Sequence, residues 1–123
     1  MSMSMRFLLL ASLYGIISMI MGMVMGSKGD YTLSPVHTHL SLLGWIAISI
    51  YGLAYKVYPQ MAASNITRLH FYIVNLGVIL LIPSLALLLM KNTAALPFLL
   101  IGESLTITSL FLFLLNLWRH RKE

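Results

Sequence analysis

Four long apolar segments take up almost the whole of this 123-residue chain. They run approximately over residues 7–25, 35–58, 66–90 and 94–118. A helix needs about 20 consecutive apolar residues to cross a bilayer, and each segment is near or above that length. Because lipid offers no hydrogen bonds, a continuously apolar span must pair its own backbone groups, which a helix does. The sequence therefore predicts an all-α protein with four transmembrane helices in a single membrane domain, residues 1–123.

The charged residues are few, and they indicate how the chain is oriented. They make up 9% of the sequence, whereas about a quarter of the residues of a soluble domain are charged. The net charge of +5 comes from cations at segment ends, which form no patch suited to nucleic acid. One side of the predicted bundle collects Arg6, Lys56, Arg68, Arg119, Arg121 and Lys122, and the other has Lys28 and Lys91. Since cytoplasmic loops are rich in Lys and Arg, both termini are predicted to face the cytoplasm.

The first apolar segment is expected to be a retained helix. It is longer than the apolar core of a signal peptide, and Gly26-Ser27-Lys28 lacks a small-x-small cleavage site. Gly22 and Gly26 form a small-xxx-small pair, and Gly15 lies seven residues before Gly22. Such a spacing of glycines favours close helix contacts. For Gly26 alone, plain flexibility near a loop explains the residue equally well. Short connections between the segments predict an antiparallel bundle with sequential neighbours packed together.

His37 and His39 open the second segment, just after Ser34 and Pro35, which are predicted to be its N-cap and first helical residue. Two positions on a helix differ by about 200° of rotation, so the two rings should point to opposite sides. Ionisable residues within a membrane commonly mark functional sites. The two histidines are thus predicted to bind different cofactors, or to pair with histidines of neighbouring subunits. The alternative is that both imidazoles satisfy local hydrogen bonds at a wet helix end.

The other candidate site residues are Glu103 and two further histidines. Glu103 is predicted to lie about 9 Å in from the outer end of the fourth helix, near the level of the histidine pair. It is a candidate to orient a ligating imidazole, or else to hydrogen-bond Thr106, Thr108 or a serine of a neighbour. His70 lies about a membrane thickness, roughly 30 Å, from the pair. It is predicted to mark an interface or a proton-accessible position, with a snorkelling structural role as the alternative. His120 is expected to be solvated.

The ligand inventory favours haem over a protein-ligated metal ion. The absence of cysteine excludes thiolate ligands, iron–sulfur clusters and haem attached covalently through C-x-x-C-H. Zinc and copper sites need three or four converging ligands, which four histidines spread along the chain do not supply. Haem needs only one or two axial imidazoles and an apolar slot. Four thin helices have little room inside, so sites for haem b at contacts between subunits are predicted, with no copper.

A resemblance to a known family rests on residues 37–71. The run from His37 to Pro59 reads HTHLSLLGWIAISIYGLAYKVYP, and Arg68-Leu69-His70-Phe71 follows. This pattern resembles the tenth and eleventh helices of the catalytic subunit of haem–copper oxidases, especially the cbb type. It is also similar to short bacterial membrane proteins that share the motif, which implies a bacterial inner membrane. In the oxidases the H-x-H helix holds the high-spin haem on one face and the low-spin haem on the other.

The same resemblance implies an oligomer. The family's subunit has twelve helices in three arcs of four, with the H-x-H helix second in its arc, and the pair here also opens the second of four. A homotrimer would rebuild that ring, with His37 of one subunit and His39 of the next as axial ligands of each haem. The partners expected are therefore further copies of the chain, the lipid bilayer, and an electron donor and acceptor that the sequence does not identify.

Departures from the family pattern limit the expected activity. The further histidine and the adjacent His-His pair that ligate copper in the oxidases are missing. The function predicted is that of a b-type cytochrome in electron transfer, or in redox or gas sensing, with His37 and His39 as haem ligands. The alternatives are a haem-dependent reductase of O2 or NO, which needs an open iron position, and a cofactor-free structural or assembly protein. Whether the chain is an enzyme stays open.

Overall fold

The computed structural model describes residues 1–122 and confirms an all-α fold, with 87% of residues helical and no strand in the described part. The four long helices are α1 (Met3–Lys28), α2 (Ser34–Val57), α3 (Asn65–Leu89) and α4 (Leu96–Arg119). A short helical turn, Pro59–Ala62, links α2 to α3, and a 3-10 turn, Thr93–Ala95, precedes α4. All four helices are long and apolar enough to span a membrane. Four helices occupy the predicted segments, and their ends differ from the predicted ones by one to four residues in either direction.

Local capping explains several of these boundaries. The Ser2 hydroxyl accepts a hydrogen bond from the Met5 N–H at 3.2 Å, which starts α1 ahead of its apolar run. Gly29 ends α1 with a left-handed φ of 64°, a conformation that glycine adopts without steric cost. Ser64 caps α3 through the Thr67 N–H at 3.3 Å. Ser34 is not the N-cap predicted for α2 but its first residue, because its N–H already bonds to the Tyr31 carbonyl at 3.0 Å.

The connection before α2 is shaped by Asp30. Its carboxylate accepts the Thr32 hydroxyl at 2.7 Å and the Thr32 N–H at 3.0 Å. These two hydrogen bonds favour the ionised form and so lower the pKa of Asp30 below its ordinary value. The resulting turn brings the chain directly into the helix that carries the histidine pair.

Glycines let α1 and α2 pack closely. A Cβ at Gly15 would lie 2.8 Å from the Trp45 ring, and one at Gly22 would lie 2.8 Å from the His37 ring. Both glycines therefore make room for an aromatic ring of α2, as the small-residue spacing predicted. Gly26 has nothing within 4 Å of its ideal Cβ, so it is not part of the contact. The remaining close pair is α3 with α4, and α2 contacts both α1 and α3.

The middle of α2 is not an ordinary α-helix. Residues Leu40–Ala47 form a π-helical segment, between α-helical turns that carry the histidines and Tyr55. Within it Gly44 faces the Tyr14 side chain, and Trp45 faces Gly15, so consecutive residues both contact α1. The π-helix is rare and is frequently found at functional sites. This segment begins at the residue directly after His39.

Candidate functional site

His37 is held in the contact between α1 and α2. Its Nδ1 lies 2.8 Å from the Ser18 carbonyl oxygen and 3.2 Å from the Ser18 hydroxyl. The same hydroxyl donates to the His37 carbonyl at 3.1 Å. Ser41, one turn further along α2, also donates to that carbonyl at 2.9 Å. Together with the close contact at Gly22, these bonds fix the half-buried ring on the side of α2 that faces α1.

His39 is held by its own helix and points the other way. Its Nδ1 lies 2.7 Å from the Pro35 carbonyl oxygen, one turn earlier in α2. The side chain is exposed in the isolated chain. It lines a cavity of about 260 Å³ between α2, α3 and α4, together with Leu43, Leu81, Glu103, Thr106 and Ile107. The predicted orientation is therefore confirmed, since one ring faces α1 and the other faces the α3–α4 side.

Both histidines contact a backbone carbonyl through the same ring nitrogen, Nδ1. A backbone carbonyl can only accept a hydrogen bond, so each Nδ1 next to one carries the hydrogen. In a neutral imidazole the other nitrogen, Nε2, then has the free electron pair. In metalloproteins, a histidine ligand is likewise oriented by the ring nitrogen that does not bind the metal, which donates its N–H to a carbonyl or another acceptor. His37 and His39 thus each offer an Nε2 that is able to bind a metal.

Glu103 lies near His39, as the sequence predicted, but among residues 1–122 it makes no hydrogen bond to a histidine. It is exposed and lines the same cavity as His39. The predicted task of orienting an imidazole is performed by the Pro35 carbonyl, because that oxygen already accepts from His39 Nδ1. The alternative of a helix–helix bond to nearby threonines is not formed either. Thr106 and Thr108 donate instead to carbonyls one turn back in α4, at 2.9 Å and 2.8 Å.

His70 lies inside the bundle rather than at a surface. It is fully buried, which corrects the prediction of an interface or proton-accessible position and also the snorkelling alternative. Four aromatic rings from three other helices surround it at centroid distances of 4.6 to 5.8 Å, namely Phe7, Tyr51, Tyr55 and Phe113. Its Nδ1 lies 2.6 Å from the Tyr55 hydroxyl, and its Nε2 has no hydrogen-bond partner. His120 is partly buried, with Nδ1 2.9 Å from the Asn116 carbonyl, so it is less solvated than predicted.

A site in which one chain supplies three or more ligands is not formed. Among residues 1–122 no three His, Cys, Asp or Glu side chains are grouped so that they could hold one metal ion. This finding applies to zinc- or copper-type sites, which need three or four protein ligands. Haem already supplies four nitrogens from its own ring and asks for one or two axial residues. The separated histidines are compatible with that demand.

Three features of the site were not foreseen from the sequence. They are the π-helical segment after His39, the pairing of Ser18 with His37, and the pairing of Tyr55 with His70. Ser18 is four residues before Gly22 on α1, so the small-residue face contained a signal for the first pairing. Comparison with family models, with curated proteins and with solved structures finds no match for this chain. The resemblance to oxidase helices therefore rests on the motif of residues 37–71 alone.

Proposed function

We propose that this protein is a membrane b-type cytochrome in which His37 and His39 bind haem at contacts between subunits. The observation that supports the proposal is the anchoring of both rings through Nδ1 to backbone carbonyls. That arrangement leaves two Nε2 atoms with free electron pairs, on opposite sides of one apolar helix. His120 is anchored through Nδ1 in the same way, so the feature that sets His37 and His39 apart is their position two residues apart on one apolar helix, with the free nitrogens on opposite sides.

Opposed rings on one helix cannot hold the same iron. Each haem with two imidazole ligands must therefore take them from two different chains, His37 from one and His39 from the other. Copies arranged in this way form a closed ring, and the resemblance to the twelve-helix oxidase subunit favours three of them. No further protein ligand is then required.

The surroundings of His39 support a partner at this face. Leu43, Leu81 and Ile107 give the cavity apolar walls, as a haem slot requires. The exposed His39 and Glu103 would be costly against lipid tails, because ionisable groups inside a membrane are normally buried in the protein or paired. A second subunit that covers this face would remove both groups from lipid.

Haem, when bound, supplies a one-electron couple at the iron. His37 and His39 of two chains would hold the haem, and the apolar walls at Leu43, Leu81 and Ile107 would exclude water. A haem held by two histidines would supply one-electron chemistry, which favours electron transfer or redox sensing over reduction of O2 or NO. The histidines that ligate copper in the oxidases are missing from this sequence, which also favours electron transfer over gas reduction.

The test is an absorption spectrum of protein purified in mild detergent, compared with single variants. Sharp six-coordinate bands of reduced low-spin haem are expected for the wild type. They should be lost in both His37→Ala and His39→Ala, since either change removes one ligand from every haem. His120→Ala is the matched control and should keep the spectrum, because His120 lies at the far end of α4.

Other spectra would decide between the alternatives. A five-coordinate, gas-binding spectrum of the wild type would replace the cytochrome by a haem-dependent reductase or gas sensor. The absence of any haem band after reconstitution would leave a structural role. Mass measurement of intact complexes tests the sharing of ligands. A monomer with a full complement of bis-histidine haem would exclude it.

A further inference from the structure

The end of the bundle that carries both chain termini is strongly basic. The antiparallel helices bring six of the eight Lys and Arg residues to this end: Arg6, Lys56, Arg68, Arg119, Arg121 and Lys122. Among the described residues the two acids, Asp30 and Glu103, lie toward the opposite end. An anionic ligand would thus be attracted to this end before any specific contact is made.

A cavity of about 290 Å³ lies within this basic end. Tyr58, directly after α2, forms one wall, and Leu117, His120 and Arg121 from the end of α4 form the other. The lining combines one permanent cation, one phenol hydroxyl, one imidazole and one apolar side chain. Haem binding plays no part in this cavity, which lies at the other end of α2 from the histidine pair.

The basic side chains of the cavity are held by contacts within the chain. The guanidinium carbon of Arg121 lies 4.4 Å from the centre of the Trp118 ring, and its Nη1 donates to the Trp118 carbonyl at 2.7 Å. His120 is held in turn by its Nδ1, which lies 2.9 Å from the Asn116 carbonyl. Side chains fixed before binding lose less conformational entropy when a ligand arrives. Arg121 still has four further N–H groups with which to bind an anion.

We infer that this cavity binds the phosphate headgroup of an anionic phospholipid. A guanidinium matches the oxygens of a phosphate in a bidentate way, and the Tyr58 hydroxyl can donate from the opposite wall. Trp118 is 59% exposed at the end of a membrane-spanning helix, where tryptophan is typical of the lipid headgroup level. Leu117 in the cavity wall, with the Trp118 ring next to Arg121, would give apolar contact for the glycerol and the first part of the acyl chain. A free phosphate ion would use only the polar half of these groups.

The experiment compares lipid retention by variants that lose the same charge at different places. The protein in mild detergent is incubated with equal amounts of phosphatidylglycerol and phosphatidylcholine, and retained lipid is counted by native mass spectrometry. Phosphatidylglycerol retention should fall about fivefold in Arg121→Gln, since a basic residue near an anionic surface contributes about 1 kcal/mol. Arg119→Gln and Lys122→Gln are the controls. Both residues are exposed at the same end and lie outside the cavity.

Two further measurements keep the result interpretable. Tyr58→Phe removes the hydroxyl without changing charge, and it should lower phosphatidylglycerol retention while the helix content stays at the wild-type value. A separate sample with phosphatidylcholine and inorganic phosphate shows whether free phosphate alone fills the cavity.

Selective loss in Arg121→Gln and Tyr58→Phe would support a headgroup site. Equal loss in all three charge variants would overturn it in favour of diffuse attraction. The headgroup site is also overturned if the wild type shows no preference for phosphatidylglycerol, or if inorganic phosphate binds as well as the lipid.

Discussion

Adding one methyl group at Gly22 should displace the His37 ring. The ideal Cβ would lie 2.8 Å from Cε1, 3.3 Å from Nδ1 and 3.4 Å from Nε2 of His37. Ordinary contact begins at 3.4 Å, so in Gly22→Ala the ring must move by about 0.6 Å. It cannot move away freely, because its Nδ1 is bonded to the Ser18 carbonyl at 2.8 Å. Overfilling a packed contact in this way costs about 1–3 kcal/mol.

A second glycine on the same helix provides the reference for this cost. Gly26→Ala meets nothing within 4 Å, so it gains only the helix propensity of alanine, about 0.5–1 kcal/mol. The same gain applies to Gly22→Ala, and the difference between the two variants isolates the clash. Gly22→Ala should therefore be less stable than Gly26→Ala by about 1–3 kcal/mol.

Stability and haem binding are measured separately to distinguish packing from ligation. The free energy of unfolding is obtained by denaturant titration in mixed micelles, monitored by helical circular dichroism. Gly15→Ala is the third variant, because its Cβ would meet the Trp45 ring at the same 2.8 Å without touching a proposed ligand. Gly15→Ala and Gly22→Ala should both be destabilised, whereas only Gly22→Ala should lose low-spin haem. A Gly22→Ala protein as stable as Gly26→Ala would refute the packing of His37 on Gly22.

Two other predictions concern the inner core and the topology. Tyr55→Phe removes the one hydrogen bond that the structure gives the buried His70 ring, at 2.6 Å, and should cost about 0.6–1.7 kcal/mol of unfolding free energy. The double variant with His70→Phe should cost less than the sum of the two single changes, as a double-mutant cycle would show, and strict additivity would contradict the pairing. Cysteines at Lys28 and Lys122, in a chain without native cysteine, should react with an impermeant reagent from opposite sides of the membrane. Labelling of both from one side would exclude the four-span topology.

The helices and the orientation of the histidine pair were predictable because they depend on local properties. Apolar length alone defines a membrane span, and the rotation between His37 and His39 follows from α-helix geometry over three residues. The helix ends were predicted less accurately, since the Ser2 cap starts α1 at Met3, among residues that carry no continuous apolar signal. Local rules thus gave the architecture, and capping shifted its limits.

The π-helical segment and the burial of His70 could not be derived in this way. Leu40–Ala47 is apolar almost throughout, so its hydrophobic pattern does not distinguish i→i+4 from i→i+5 pairing. His70 looked like an interfacial residue because it closely follows Arg68 near a helix start. Its burial depends on Phe7, Tyr51 and Phe113, which reach it from three different helices. Tertiary contacts of this kind have no local signature.

Polar pairs join the helices of this bundle at several levels. The Tyr14 hydroxyl donates to the Asn75 side-chain oxygen at 2.9 Å and links α1 to α3. Tyr55 with His70 links α2 to α3, and Ser18 with His37 links α1 to α2. Interhelical hydrogen bonds in membranes average only about 0.6 kcal/mol each. We therefore attribute to them the relative position of the helices more than the overall stability.

The orientations of the two proposed ligands depend on different parts of the fold. The Nδ1 of His39 bonds to the Pro35 carbonyl of its own helix, so its orientation needs only the first turns of α2. The Nδ1 of His37 bonds to the Ser18 carbonyl of α1, and its ring also needs the space at Gly22. Any change that loosens α1 from α2 should therefore release His37 while His39 keeps its orientation. A haem shared between subunits would then lose its His37 ligand before its His39 ligand, even when the substitution lies far from either histidine.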